Sequence, residues 1–372
     1  MYELKSVHKR YGLAKVALRK IDLTVRDREF LVIYGPAGAG KSTLLNILAG
    51  ISKPTSGDVL RNGSSILRVP PEKRDAAMAF ENYALYSHLS VGENLAFPLK
   101  ARGFDRAEIE ARVKRVKRIS GILGIGHLLE RRPGFLSGGQ RQRVALGRAI
   151  IRPADIYLLD EPVGHLDAKL RHRIRAELKA LAEDLAATVV FTTTSSREAL
   201  ALGDRIAVLN AGRLEQVGKP ADLYHRPANA FVASFVGDPP MSFISVQPRR
   251  NDGRVDFVTA DGMPVASLAA EAVLDLNDEP GSRVQVGFRS NEVRIAQEGD
   301  SNALRGRVDV IENLGYMKIA LVGIGGDQIS VSVPAGTPLG VGETVAIAFP
   351  RDAIHLFQNA RAVTHATPSA GV

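Results

Sequence analysis

The sequence predicts a mostly parallel α/β domain followed by an all-β domain. Apolar runs typical of buried strands, such as residues 189–191, alternate with helix-like stretches in the first part of the chain. Further on, runs of alternating polar and apolar residues, such as residues 283–288, are punctuated by glycine and proline. The pattern changes at residues 237–240 (GDPP), so we expect one domain over 1–236 and a second over 237–372.

The first candidate site is a glycine-rich loop between a predicted strand and a predicted helix. Residues 35–43 fit the pattern G-x-x-x-x-G-K-[ST], follow the apolar run 30–34 and precede the helix-like run 44–48. Glycines allow backbone N–H groups to point at phosphate oxygens, and the start of a helix adds partial positive charge. In such a loop Lys41 contacts the β- and γ-phosphates, and Ser42 binds Mg²⁺. The expected ATP-binding residues of the loop are Gly35, Pro36, Ala37, Gly38, Ala39, Gly40, Lys41, Ser42 and Thr43.

Two adjacent carboxylates form the second candidate site. The apolar run 156–159 predicts a buried strand that ends in Asp160 and Glu161. An isolated Asp-Glu pair often caps a helix, but beside a phosphate loop it is typical of metal binding and water activation. We expect Asp160 to bind Mg²⁺ and Glu161 to orient or deprotonate the water that attacks the γ-phosphate.

A third motif, LSGGQRQR at residues 136–143, precedes the helix-like run 144–150. Its serine and glycines at a helix start form a second anion-binding surface, and two such surfaces in one chain imply two subunits. With these three motifs the chain resembles the ABC ATPase family. The resemblance implies an α/β P-loop NTPase fold, a helical subdomain at about 87–136, and a dimer in which the signature motif contacts ATP bound by the other subunit. The residues expected to make these contacts in trans are Ser137, Gly138, Gly139, Gln140 and, in the D-loop, Asp167.

The resemblance assigns roles to further residues. Tyr11 matches the aromatic residue that stacks on adenine in this family. Asp167 belongs to a loop that crosses the dimer interface, although Gly164 and His165 stand where the family has Ser-Asn. Residues 83–98 resemble the surface that receives a coupling helix from the membrane subunits.

Two positions depart from the family at the site itself. Glu81 stands where the family has glutamine, and Thr194 stands where it has histidine. A carboxylate can ligate Mg²⁺ but adds negative charge near the phosphates, and a threonine lacks the charge that an imidazolium offers. We therefore expect slow hydrolysis at the chain's own loop and pairing with a different ATPase, although one change alone is open to rescue by a neighbour such as His165. The expected catalytic residues are Glu161, Thr194 and Glu81, and the expected metal ligands are Ser42, Asp160 and Glu81.

The pattern of the second domain predicts a small β-barrel. Its joint, residues 226–241, resembles that of carbohydrate-importer ATPases, which carry an OB-like (TOBE-type) regulatory domain. The resemblance implies the ATP-binding subunit of an importer for a sugar, a polyol or glycerol phosphate. The implied partners are a second ATPase subunit, two integral membrane permease subunits and, indirectly, a solute-binding protein. The tail from about 360 to 372 is expected to be frayed.

Composition limits the alternatives. The net charge of +9 arises partly from residues 106–118, which we interpret as a solvated helix face. Attraction to anionic lipid headgroups is a second interpretation, and no interleaved aromatic residues favour a nucleic-acid partner. The absence of cysteine excludes disulfides and thiolate metal sites. No apolar stretch approaches the ~18 residues of a membrane span and no signal-peptide core is present, so we expect a cytoplasmic protein at the inner face of the cell membrane. Two other interpretations stay open: a nearly inactive structural or regulatory subunit, and a non-transport ABC ATPase that acts on nucleic acid.

Overall fold

The computed structural model divides the chain into two compact units, Met1–Pro220 and Ala221–Val372. The residues that the structure describes are 1–12, 15–100, 114, 116–164, 166–184, 186–273, 275–277, 282–297, 300, 303–349 and 354–364.

The N-terminal unit contains two sheets. Its strands are β1 (Tyr2–Tyr11), β2 (Lys15–Val25), β3 (Phe30–Tyr34), β4 (Ser56–Arg61), β5 (Ser64–Ser65), β6 (Ala76–Ala79), β7 (Ile156–Asp160), β8 (Val189–Thr193), β9 (Arg205–Asn210) and β10 (Arg213–Gly218). A four-stranded antiparallel sheet has the order β2-β1-β4-β5, and a six-stranded sheet has the order β10-β9-β3-β8-β7-β6. The second sheet is parallel except for β10, which confirms the predicted α/β core.

The helices of this unit connect the parallel strands. They are α1 (Lys41–Ala49), α2 (Val91–Lys100), α3 (Gly138–Ile150), α4 (Ala168–Asp184) and α5 (Ser196–Leu202), and α6 (Pro220–His225) begins at its end. The described part of the predicted helical subdomain contains α2, helical residues 116–122 and short 3₁₀ turns at Gly126–Leu128 and Pro133–Phe135. The rest of that subdomain and most of the basic stretch 106–118 lie outside the described residues.

The three central strands explain why the site forms where it does. Every residue of β3, β7 and β8 is buried, as expected for a parallel sheet covered on both faces. The apolar face of α1, including Leu44, Ile47 and Leu48, packs in the same core as Leu31 and Leu158. Because parallel strands end at the same edge of the sheet, the loops that follow β3, β7 and β8 meet there.

The C-terminal unit is built from antiparallel strands, which confirms the predicted all-β, OB-like domain. The strands are β11 (Ser242–Asn251), β12 (Arg254–Val258), β13 (Pro264–Ala269), β14 (Val284–Phe288), β15 (Arg294–Ile295), β16 (Leu304–Asn313), β17 (Met317–Ile324), β18 (Asp327–Pro334), β19 (Thr344–Ala348), β20 (His355–Gln358) and β21 (Arg361–Thr364). They form two sheets with the orders β13-β12-β11-β14-β20-β21 and β15-β19-β16-β17-β18. One apolar core, which includes Phe257, Val286 and Val331, receives side chains from both sheets.

Two details differ from the sequence-based expectations. The predicted frayed tail begins too early, because β21 (Arg361–Thr364) pairs with β20, where Leu356 lies opposite Thr364. Residues 365–372 of that tail lie outside the described residues.

The division of the chain after Pro220 also precedes the domain boundary that the sequence predicts at 236/237. The buried guanidinium of Arg289 contributes to this difference, since it donates hydrogen bonds to the backbone carbonyls of Tyr224, Ala233 and Val236. Helix α7 (Ala230–Phe235) and the joint around it therefore pack within the C-terminal unit.

Candidate functional site

The phosphate loop connects β3 to α1, and two of its glycines are required by its shape. Gly40 has a φ of 109°, and a Cβ atom there would lie 2.5 Å from the carbonyl oxygen of Ala17. A Cβ atom at Gly35 would lie 2.1 Å from the carbonyl oxygen of Leu209. A side chain at either position would clash with these carbonyls, so the phosphate loop keeps this shape only with glycine there.

Lys41 lies inside this loop with only 5% of its side chain exposed. Its ammonium donates hydrogen bonds to the carbonyls of Gly35 at 2.9 Å and Pro36 at 3.1 Å. The same nitrogen lies 3.1 Å from Glu161 Oε1, at the end of β7. The loop thus holds a buried positive charge beside the first helical turn of α1, which is the combination that binds phosphate.

Asp160 is the buried carboxylate of the site, with 4% exposure. Its Oδ1 accepts hydrogen bonds from Thr192 Oγ1 at 2.7 Å and from Ser42 Oγ at 3.2 Å. Burial raises the pKa of the Asp160 carboxyl, while the hydrogen bonds from Thr192 and Ser42 act in the opposite direction. The hydroxyl and the carboxylate are therefore adjacent oxygen donors, the type of ligand that Mg²⁺ prefers.

Glu161 adopts a backbone conformation that residues with a side chain rarely take, with a φ of 43°. Its N–H donates to Thr192 Oγ1 at 3.0 Å, and its carbonyl accepts from Gln142 Nε2 at 2.9 Å. The side chain is 26% exposed, so the carboxylate can reach a water molecule at the surface of the site.

A cleft of about 500 Å³ opens beside these residues and brings together the three metal ligands that the sequence predicts. It is lined by Ser42, Asn46, Phe80, Glu81, Asn82, Tyr83 and Asp160. The Glu81 side chain is exposed. Within the described residues, no group of three or more His, Asp or Glu side chains is placed to hold a metal. The oxygen donors in the lining that suit Mg²⁺ are the hydroxyl of Ser42 and the carboxylates of Asp160 and Glu81.

The loop after β8 carries the other departure from the family pattern. Thr194 is exposed directly beyond the strand, whereas Thr193 Oγ1 donates to the buried Glu198 at 2.5 Å. Ser195 caps α5 by accepting a hydrogen bond from the N–H of Glu198 at 3.4 Å. This loop is therefore held by the threonine before position 194 and by the serine after it. His165, a neighbour by which one of the two changes is open to rescue, lies outside the described residues.

The signature motif forms the start of α3. Ser137 Oγ accepts from the N–H of Gln140 at 3.3 Å, and the Gln140 side chain accepts from the N–H of Ser137 at 2.9 Å, which is a capping box. Ser137 is exposed, and Gly138 and Gly139 follow it in the first turn. The helix start is therefore ordered and accessible to a ligand on another chain.

The remaining predicted residues make contacts outside the phosphate loop. Tyr11 is 41% exposed, and Lys9 Nζ lies 4.7 Å from the centre of its ring. Asp167 is exposed and caps α4 by accepting from the N–H of Leu170 at 2.9 Å. A flat exposed ring and an exposed interface loop are compatible with the roles that the family resemblance implies.

Sequence reasoning missed three residues of the site. Thr192 and Gln142 make hydrogen bonds to the acidic pair, and Glu198 accepts one from Thr193, the residue before Thr194. In the sequence, Thr192 resembles an ordinary β-branched strand residue, and Gln142 belongs to the polar end of the signature motif. The only available signal was the run of three threonines at the end of a predicted apolar strand, where hydroxyl groups are unusual in a fully buried segment.

Comparison with known proteins assigns the family. The family model for the ABC transporter matches residues 18–164, and the family model for the TOBE domain matches residues 286–357. An sn-glycerol-3-phosphate import ATP-binding protein, UgpC 1 of Rhizobium johnstonii, is 41% identical over 95% of this chain and 93% of its own length. The trehalose/maltose import ATP-binding protein MalK of Thermococcus litoralis is also 41% identical, over 92% of this chain and 93% of its own length.

Among solved structures, the dimeric structure of a bacterial ABC transporter cassette is similar to part of this chain, with 34% identity and a TM-score of 0.55. The match covers 59% of this chain and 98% of the chain in the solved structure. The chain belongs to the ATP-binding subunits of the ABC transporter family. It is an ABC-type ATPase that uses ATP with Mg²⁺, and the predicted fold class and family are confirmed. In the part of the chain that the structure describes, no helix is long and apolar enough to cross a membrane.

Proposed function

We propose that this chain powers the uptake of a solute of the sugar, polyol or glycerol-phosphate class by hydrolysing ATP beside two membrane permease subunits. The relatives named for import of sn-glycerol-3-phosphate and of trehalose/maltose support the solute class. The observation that carries the proposal is the meeting of Lys41, Ser42, Asp160 and Glu161 at one edge of the parallel sheet.

Each of these residues has a task in hydrolysis. Ser42 and Asp160, with Glu81 beside them, would hold Mg²⁺, which neutralises charge on the phosphates. Lys41 and the backbone N–H groups of the loop bind the β- and γ-phosphates. Glu161 accepts a proton from water as the water oxygen bonds to the γ-phosphorus, and the bond from that phosphorus to the bridging oxygen breaks to leave ADP and phosphate.

The signature surface completes the site of a second protomer. In the proposed dimer, Ser137, Gly138, Gly139, Gln140 and Asp167 of this chain face ATP bound by the partner protomer. The exposed, capped start of α3 and the dimeric arrangement named for the solved relative support this. ATP then joins the two protomers, and its hydrolysis releases them.

The chain's own site is proposed to turn over slowly because of Glu81 and Thr194. Both side chains are exposed, and neither supplies the neutral amide or the imidazole that the family has at these positions. A different ATPase as partner would supply what this chain lacks. The proposal of an unlike partner rests on Glu81 and Thr194 alone, since the names of the relatives do not support a second, unlike ATPase.

A surface suited to membrane partners lies next to the cleft. Tyr86 and Phe97 are both partly exposed with their ring centres 4.5 Å apart, and the buried Asn94 holds the backbone of this segment through the N–H and carbonyl of Tyr86. Arg148 on α3 donates to the carbonyl of Tyr83 at 3.2 Å, which connects the signature helix to the same segment. We propose that residues 83–98 receive the permease subunits at the cytoplasmic face of the membrane, as the sequence predicts.

The test is purification of the native assembly through a tag on this chain, followed by reconstitution in vesicles. The expected result is co-purification with two integral membrane proteins, and ATP-dependent uptake of one solute from a panel of sugars, polyols and glycerol phosphate. Mass spectrometry of the ATPase component decides between two copies of this chain and two unlike chains. Recovery of the chain with nucleic acid or ribosomes and without membrane proteins would overturn the transport function.

A further inference from the structure

Thr192 is the β8 residue beside the acidic pair. It lies opposite Asp160 in the register between β7 and β8, and it is completely buried. A buried strand position of this kind is usually filled by an apolar β-branched residue such as valine, which has the same shape as threonine. The hydroxyl of Thr192 is therefore unusual at this position, and its hydrogen-bond partners show what it does.

That hydroxyl makes two hydrogen bonds, and both go to the acidic pair. Its single proton is donated to Asp160 Oδ1 at 2.7 Å, and its oxygen accepts from the N–H of Glu161 at 3.0 Å. A hydroxyl has one proton and two lone pairs, so it can donate to the first residue and accept from the second at the same time. Valine at this position could do neither.

The two bonds act on features that need support. Oδ1 of Asp160 is the same oxygen that accepts from Ser42, so the hydroxyls of Thr192 and Ser42 together fix this carboxylate. Glu161 has a left-handed backbone, which persists only when its surroundings hold it. The Thr192 hydroxyl holds its N–H, and Gln142 holds its carbonyl.

We propose that Thr192 is a positioning residue of the ATPase, whose one hydroxyl fixes both the metal-binding carboxylate of Asp160 and the backbone that directs Glu161. The inference rests on the roles proposed above for Asp160 and Glu161. Thr192 thereby links β8, the strand that precedes Thr194, to the carboxylates of Asp160 and Glu161. Groups that orient a metal ligand typically contribute about 10- to 100-fold to metal affinity or activity.

The experiment compares three variants of the full chain. Thr192→Val removes the hydroxyl and keeps the shape, whereas Thr192→Ser keeps the hydroxyl. The matched control is Thr188→Val. Thr188 is buried just before β8, and its hydroxyl accepts from the N–H of Arg28, two residues before β3, at 3.0 Å. Thermal unfolding of each variant shows whether it folds.

Two measurements are made on each variant. The first is the affinity of the purified chain for a fluorescent ATP analogue, with Mg²⁺ and with EDTA, which does not require turnover. The second is kcat and KM for ATP hydrolysis in the assembled transporter. We expect Thr192→Val to bind the analogue as the wild type does in EDTA and to lose about tenfold of the affinity gained with Mg²⁺. In the assembled transporter kcat should fall at least tenfold, while KM rises no further than this loss of affinity explains. Thr192→Ser and Thr188→Val should stay within about threefold of the wild type in both assays.

Three results would overturn the inference. They are wild-type behaviour of Thr192→Val in both assays, equal impairment of Thr192→Val and Thr188→Val, and equal impairment of Thr192→Val and Thr192→Ser. Failure of the proposed function gives a different pattern, because Glu161→Gln would then hydrolyse ATP at the wild-type rate. An inactive Glu161→Gln together with a fully active Thr192→Val removes only the role of Thr192.

Discussion

The ends of β7 and β8 lie side by side in the sheet, yet they differ in how their functional residues are held. At the end of β7, Asp160 and Glu161 are tied into a network that includes Thr192. At the end of β8, Thr194 is exposed, and the buried contact belongs instead to the pair of Thr193 with Glu198. The residues proposed for metal binding and water activation are therefore held in place, whereas Thr194, the residue proposed to meet developing charge on the γ-phosphate, has no such support in the part of the chain that the structure describes. This contrast predicts that hydrolysis is limited at the end of β8.

The largest effect is expected from breaking the first region. Glu161→Gln removes the proton acceptor but keeps the shape, so kcat should fall by about 10²–10⁴ while ATP still binds. Phosphate release and nucleotide binding are measured on the same preparation. Turnover that survives this change would show that another group takes the proton from water.

The double variant Glu81→Gln, Thr194→His tests the second region. It removes an exposed negative charge near the phosphates and restores an imidazole, so kcat should rise by about 10²-fold if these groups limit hydrolysis. The single changes serve as controls, since their effects need not add at one site. An unchanged rate in the double variant would place the limit elsewhere.

Glu198 offers a way to loosen the end of β8 without touching position 194. Glu198 is 3% exposed, accepts from Thr193, and lies 3.8 Å from Arg171 Nε. Glu198→Ala leaves the buried Thr193 hydroxyl without its acceptor and should lower the free energy of unfolding by about 2 kcal/mol, measured by urea denaturation. Glu183→Ala, at an exposed position on α4, is the matched control and should change it by less than about 0.5 kcal/mol. Equal effects of the two changes would contradict a structural role for the buried pair.

The smallest effect concerns the signature. Ser137→Ala removes the cap of α3 and should lower the free energy of unfolding of the isolated chain by about 1 kcal/mol. Ser64→Ala, in the exposed strand β5, is the control with no expected change. A loss of turnover in the assembled transporter much larger than this loss of stability would support a direct contact between Ser137 and ATP. A turnover that falls no further than the stability explains would limit Ser137 to capping.

The parts of the site that follow one another along the chain were predictable. The phosphate loop, the acidic pair and the signature are each contiguous motifs, so their residues could be named before the strands were paired. The order of the sheet then brings Ser42 and Asp160 to 3.2 Å although they are far apart in sequence. Thr192 and Gln142 could not be assigned in this way, because their partners are fixed by strand register and by the packing of α3.

The C-terminal unit shows the same limit at a domain boundary. The glycines and prolines at residues 237–240 mark a change of pattern, but the chain divides after Pro220. Arg289 contributes to this, since its guanidinium lies 4.2 Å from the centre of the Tyr224 ring and donates to three carbonyls of the preceding joint. Burial lowers the pKa of Arg289 to about 10, and nothing in its sequence neighbourhood indicates burial.

The sequence by itself determined which chemical groups are available: a glycine loop with Lys41, an acidic pair, a signature motif, and two positions that lack the family's glutamine and histidine. Local motifs specify these features because backbone conformation and hydrogen bonding within a few residues depend on side-chain type. Only the tertiary structure decided which groups act together, since the hydroxyl of Thr192 and the carbonyl of Glu161 find their partners across strands and helices. Hydrogen bonds act over about 3 Å, and only folding brings residues distant in the chain to that separation.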